Sequence, residues 1–205
     1  MNSIGIHFHP DEAVEVGGSK WWGDPDLPAD IDYPTTEDGP MLFLCQIRLS
    51  DIADLDTQSL LPHSGMLYFF ANIAEYVENL DMAQENHNGL GEWSNDSFVV
   101  LYSPECEALQ PFRILYEDGE PVALPAERLT FSVEDANYDG FKLLGRPYYD
   151  EVHEEYPEHI SLLQIDEEER WGLRLYDCGM LNFMILPAQL KQRFWDRARL
   201  YFHSL

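Results

Sequence analysis

Two glutamines stand inside otherwise apolar runs, Gln46 in Leu42-Phe43-Leu44-Cys45-Gln46-Ile47 and Gln164 in Leu162-Leu163-Gln164-Ile165. A buried primary amide carries two N–H donors and a carbonyl acceptor, and such groups are almost always paired, so each must tie down backbone groups of a neighbouring loop or hold a ligand. Of the three lysines in the chain, Lys20 and Lys142 each precede one of these glutamines by a similar distance, within a Lys-x-x-Gly-x-Pro motif. Facing one cleft, the two ammonium groups would make a positive spot suited to a carboxylate or phosphate. Apart, they would make salt bridges or cap loop carbonyls, as charged groups away from functional sites do. The candidate polar cluster is therefore Lys20, Gln46, Lys142 and Gln164.

Other constellations carry less chemistry. His7 and His9 fall on one side of a strand at a spacing that metals use, but no third ligand accompanies them, and an exposed N-terminal strand is the expectation. His153 and His159 lie among Glu151, Glu154, Glu155 and Glu158 without the spacing of a zinc helix. Asp24, Asp26, Asp30 and Asp32 lack the register of a calcium loop. Cys45, Cys106 and Cys178 are far apart with no C-x-x-C pairing, which points away from disulfides and zinc knuckles, and Cys45 should be buried. No G-x-S-x-G elbow, P-loop, G-x-G-x-x-G or H-E-x-x-H occurs, so no catalytic residue, metal or cofactor is assigned.

The elements that must position these residues read mostly as strands. Apolar runs at Met41–Ile47, Met66–Phe70, Ser97–Tyr102, Ile160–Ile165 and Cys178–Ile185 are strand-length and bounded by Gly and Pro turns, with shorter strands expected at Arg113–Tyr116 and Leu129–Val133. Ile73, Val77 and Leu80 suit a helix within Asn72–Gln84, although the flanking acids suit a solvated loop equally well. Asp150–Glu158 reads as an acidic loop. Pro187 sits where a first helical turn tolerates proline, and a terminal helix is predicted from there to near His203.

Three blocks recur in order. Lys20-x-x-Gly23-x-Pro25 returns as Lys142-x-x-Gly145-x-Pro147, Gln46-Ile47 as Gln164-Ile165, and Gly65-Met66-Leu67-Tyr68-Phe69 as Gly179-Met180-Leu181-Asn182-Phe183, at offsets of 122, 118 and 114 residues. A long period with two copies predicts a pseudo-two-fold single domain over 1–205, with one half at about 19–133 and the other at about 141–203. Ser19-Lys20 followed by Gly23-Asp24-Pro25-Asp26-Leu27-Pro28, Phe43–Ile47, Leu61–Phe70, Lys142–Pro147 and Leu162–Asp166 resembles the YwqG-like family, bacterial cytosolic proteins of unknown function. That resemblance implies a mainly β, roll-like α+β fold of antiparallel sheets with internal duplication. It implies no activity and no catalytic residue.

Against 12 basic residues stand 38 acidic ones, a formal charge of −26 in 205 residues. This field repels phosphate backbones and anionic headgroups, which argues against nucleic-acid and membrane roles. No basic, apolar leader opens the sequence and no run nears bilayer length, so a cytoplasmic protein is expected. The leading reading is a non-enzymatic binding protein that engages a basic protein, as an immunity protein engages a toxin. Its interface would be the acids Asp150, Glu151, Glu154, Glu155, Glu158, Asp166, Glu167, Glu168 and Glu169. The alternative is a binder of an unknown small ligand, or an unfamiliar enzyme, with its pocket at the pseudo-two-fold axis.

Overall fold

The apolar runs around both glutamines pair as strands in the computed structural model, which describes residues 1–37, 39–80 and 88–205. In chain order the strands are β1 (Ser3–His9), β2 (Lys20–Trp21), β3 (Asp26–Leu27), β4 (Thr35–Thr36), β5 (Gly39–Pro40), β6 (Leu42–Arg48), β7 (Met66–Ala71) and β8 (Gly91–Glu92). They continue as β9 (Phe98–Ser103), β10 (Gln110–Pro111), β11 (Glu127–Glu134), β12 (Lys142–Leu143), β13 (Ile160–Ile165), β14 (Met180–Ile185) and β15 (Arg199–His203), with helices α1 (Asp150–Glu155) and α2 (Pro187–Lys191). Among the described residues, eleven strands form one curled antiparallel sheet in the order β8-β15-β14-β13-β12-β1-β11-β2-β6-β7-β9. The protein is mainly β.

Residues directly opposite in neighbouring strands share a face. Ile4, Trp21, Cys45, Leu143, Leu163 and Phe183 belong to the main core on one side of the sheet. Trp21 stacks on Trp171 with ring centroids 5.7 Å apart and 9° between planes, while Phe8 and Phe141 meet Trp171 edge-on. The opposite face carries the polar ladder, because Lys20 pairs with both Arg128 and Gln46, and Lys142 with both Gly5 and Gln164. Over the first half this face is roofed by a second core of Leu27, Met41, Phe43, Met66, Tyr68 and Phe70, with Leu109.

The strand registers carry the internal symmetry. Gly5 in β1 and Arg128 in β11 hold the same place relative to the two lysines, and the β1–β11 register exchanges these positions about the His7↔Thr130 pair. The approximate two-fold therefore passes through that pair. Farther out, Gln46↔Tyr68 matches Gln164↔Asn182. A register shift lies between Phe43 and Cys45 in β6 and between Ser161 and Leu163 in β13, the same places in the two repeats. Consecutive left-handed residues follow each lysine: Trp22 and Gly23 at φ 57° and 76°, Leu144 and Gly145 at φ 58° and 79°. A bulged strand and a left-handed pair are backbone features that diverging side chains leave in place.

Several expectations change. β1 is not an exposed strand: it lies mid-sheet between β11 and β12, because alternate residues Ile4, Ile6 and Phe8 join the core. The acidic stretch after Tyr149 is helical at α1, with acids at the positive end of its macrodipole and Arg146 Nη2 2.9 Å from Asp150 Oδ1. Arg113–Tyr116 contributes one isolated bridge, Leu115↔Pro121, in place of a strand. The segment after Asn72 makes a short 3-10 turn at Ala74–Tyr76, and residues 81–84 of that expectation lie outside the described residues. The predicted terminal helix ends at Lys191, since Arg193 adopts φ 61° and the chain continues through a 3-10 turn at Trp195–Arg197 into β15. There Leu200 and Phe202 are buried while Tyr201 and His203 turn outward, the two-residue period of a strand filling the core beside β14.

Candidate functional site

Gln46 and Gln164 hold loops in the same way. Gln46 Oε1 accepts from the Asp26 amide at 2.8 Å and its Nε2 donates to Gly18 O at 2.9 Å. Gln164 Oε1 accepts from the Tyr148 amide at 2.9 Å and its Nε2 donates to Gly140 O at 2.8 Å. Asp26 and Tyr148 are repeat equivalents, as are Gly18 and Gly140. Each amide thus closes one Lys/Gly/Pro loop back onto its strand.

The lysines have diverged. Lys20 Nζ donates to Asp26 Oδ2 at 2.9 Å, and that oxygen also accepts from Gly17 N at 2.9 Å and Gln46 Nε2 at 2.7 Å. Asp26 Oδ1 is buried and has no hydrogen-bond partner among the described residues. In the second half Tyr148 replaces the aspartate, and Lys142 is completely buried, donating to Tyr138 O at 2.8 Å with no carboxylate within 4.0 Å among the described residues. Burial, then the Arg146 guanidinium, lowers the Lys142 pKa to about 7.

The four residues of the candidate cluster lie on one face of the sheet but do not meet. β11 and β1 separate the lysine strands, and a four-residue stagger adds to this, which puts the two clusters about 20 Å apart at ordinary strand spacing. Between them the dyad is occupied by His7, His9 and their cross-strand partners. His7 Nε2 lies 2.6 Å from Ser132 Oγ, and the Ser132 hydroxyl donates to Glu134 Oε1 at 2.6 Å. The serine proton is spent on the carboxylate, so His7 is the donor here and is not a base for that hydroxyl. His9 Nε2 lies 2.8 Å from Thr130 Oγ1. Among the described residues no three His, Cys, Asp or Glu side chains gather as a metal site.

The acids differ in what they hold. Glu155 accepts from Tyr201, Glu167 Oε1 from the Leu175 amide at 2.7 Å, and Glu168 binds Arg170 at 3.0 Å. Asp166 is half-buried and burial raises its pKa. Glu151, Glu154, Glu158 and Glu169 are exposed and make no ion pair among the described residues.

Residue-type reasoning missed a cleft of about 410 Å³ beside the first Lys/Gly/Pro loop, lined by Lys20, Asp24, Asp26 and Arg113 with Val14, Val16 and several prolines. Its far wall is the segment after β10, which pairs with β3 and donates Phe112 N to Pro25 O at 2.8 Å. At the rim Arg113 Nε donates to Asp24 Oδ2 at 2.8 Å. The sequence signal was Asp24 and Asp26 standing where the second repeat has Arg146 and Tyr148.

Residues 19–141, more than half of the chain, match the family model described as Domain of unknown function (DUF1963). The chain belongs to this family. The DUF1963 match contains the first Lys/Gly/Pro loop, Gln46 and the cleft lining apart from Val14 and Val16, and it ends just before Lys142. No curated protein matches the chain. No helix among the described residues is long and apolar enough to cross a membrane.

Proposed function

We propose that the chain is a YwqG-like member of its family and acts in the bacterial cytoplasm as a non-enzymatic binding protein for a basic protein partner. The observation that carries this reading is the division of its polar groups. Buried amides and the Lys20–Asp26 pair hold loops, whereas Glu151, Glu154, Glu158 and Glu169 stand exposed and make no ion pair among the described residues. With 38 acids against 12 basic residues, acidic side chains exceed cationic ones by 26. A surface of this kind speeds encounter with a positive partner and suppresses acidic ones. An antagonist of a basic toxin is one protein class with these needs.

The test is capture from bacterial lysate on the immobilised full chain, beside a variant with Glu151, Glu154, Glu158 and Glu169 changed to Gln. A basic protein retained at about 0.05 M salt, released at about 0.5 M and lost by the variant is the expected result. Retention that ignores both salt and the four substitutions rejects the acidic interface.

A further inference from the structure

The cleft beside the first loop has a charge pattern that the partner-binding reading does not use. Its floor is the buried Lys20–Asp26 pair and its rim is the Arg113–Asp24 pair, so it alternates positive and negative groups and is neutral overall. Two hydrogen-bonding capacities are unfilled at the floor. Asp26 is fully buried, and among the described residues its Oδ1 has no partner while its Oδ2 takes three hydrogen bonds. Lys20 Nζ has three protons, and its one hydrogen bond among the described residues is to Asp26. At the rim Arg113 is mostly exposed, so its guanidinium can turn from Asp24 to a ligand.

A simple cation in this cleft would meet Lys20 and Arg113, and a simple anion would meet Asp24 and Asp26. A molecule carrying both charges a few ångströms apart meets both signs of this lining. We propose that the cleft binds a small zwitterion of the α-amino acid class. Its ammonium donates to Asp24, above the buried Asp26 carboxylate, its carboxylate accepts from Arg113 and Lys20, and its side chain lies against Val14, Val16 and the proline wall. The volume of about 410 Å³ falls within the usual range for small-molecule pockets. The second repeat has no equivalent site, since Arg146 and Tyr148 replace Asp24 and Asp26.

The experiment titrates the intact protein with each of the standard L-amino acids up to about 10 mM, followed by calorimetry and amide chemical shifts. The best binder is then compared with its amine-only and carboxylate-only analogues, for leucine isopentylamine and 4-methylpentanoate. The expected result is saturable binding by at least one amino acid, with both half-analogues weaker by about tenfold or more. Arg113→Gln and Asp24→Asn should each weaken it about fivefold or more while leaving the melting temperature close to the parent's. No saturation by any amino acid, equal binding of the amine alone, or unchanged affinity in both variants overturns the proposal. Because the ligand is neutral overall, its affinity should vary little with salt, which separates this outcome from that of the acidic interface.

Discussion

Gln46 is bonded to a main-chain amide, a main-chain carbonyl and a carboxylate, all belonging to one loop. Gln46→Leu keeps the bulk and strands those groups, so a loss of about 1–3 kcal/mol is expected in denaturant titration, the usual cost of an unsatisfied buried partner. Lys142 behaves differently because no carboxylate among the described residues lies within 4.0 Å of it, and the pull of the more distant Asp139 does not offset its burial. With a folded pKa of about 7 against an ordinary 10.5, its charge opposes folding fully below pH 7, and this opposition fades as pH rises towards 10.5. Lys142→Met should therefore raise stability at pH 6 more than at pH 9, read as the difference in melting temperature between variant and parent at each pH. Both glutamines were legible as buried amides from their apolar neighbours. Asp26 was not, since an aspartate in a Gly- and Pro-rich loop looks solvated, and only the folded loop turns it inward.

At the scale of elements, the loop after each lysine depends on two successive left-handed residues. A Cβ at Gly145 would lie 2.4 Å from Ala136 O and 2.8 Å from Ser3 Cβ, at φ +79°. Gly145→Ala should cost about 2 kcal/mol or more, whereas Gly89→Ala, with nothing within 4 Å among the described residues, should be nearly neutral in the same thermal melts. The long core strands were readable because apolar runs of strand length between turn residues have few other uses. The terminal segment was misread because Leu190, Phe194 and Tyr201 fit a helical period while Leu200 and Phe202 fit a strand period. The left-handed Arg193 and the open edge of β14 decide between them, and neither is a local property of the segment. The position of β1 was illegible for the same reason: its neighbours are β11 and β12, far along the chain.

For the whole molecule, a charge of −26 repels itself in the compact state. Raising sodium chloride from about 0.05 to about 0.5 M should increase the melting temperature, because screening weakens that repulsion. A melting temperature that falls over this range would show that attractive pairs, not net charge, dominate. The symmetry of the sheet also makes β1 the piece that joins its two halves, β11 lying on one side and β12 on the other.

That placement has a consequence for how the molecule is made. β1 ends at His9, and its first partner begins at Glu127, so the ribosome adds more than a hundred residues before the strand finds a neighbour. At roughly 5–20 residues per second the wait is about 6–24 s, long on the scale of hairpin formation. Throughout it Ile4, Ile6 and Phe8 form one apolar edge of a nascent segment able to pair with another chain. Gly5, His7 and His9 alternate with them, a polar and glycine-weakened opposite face that makes premature stacking less favourable until the correct partner is translated.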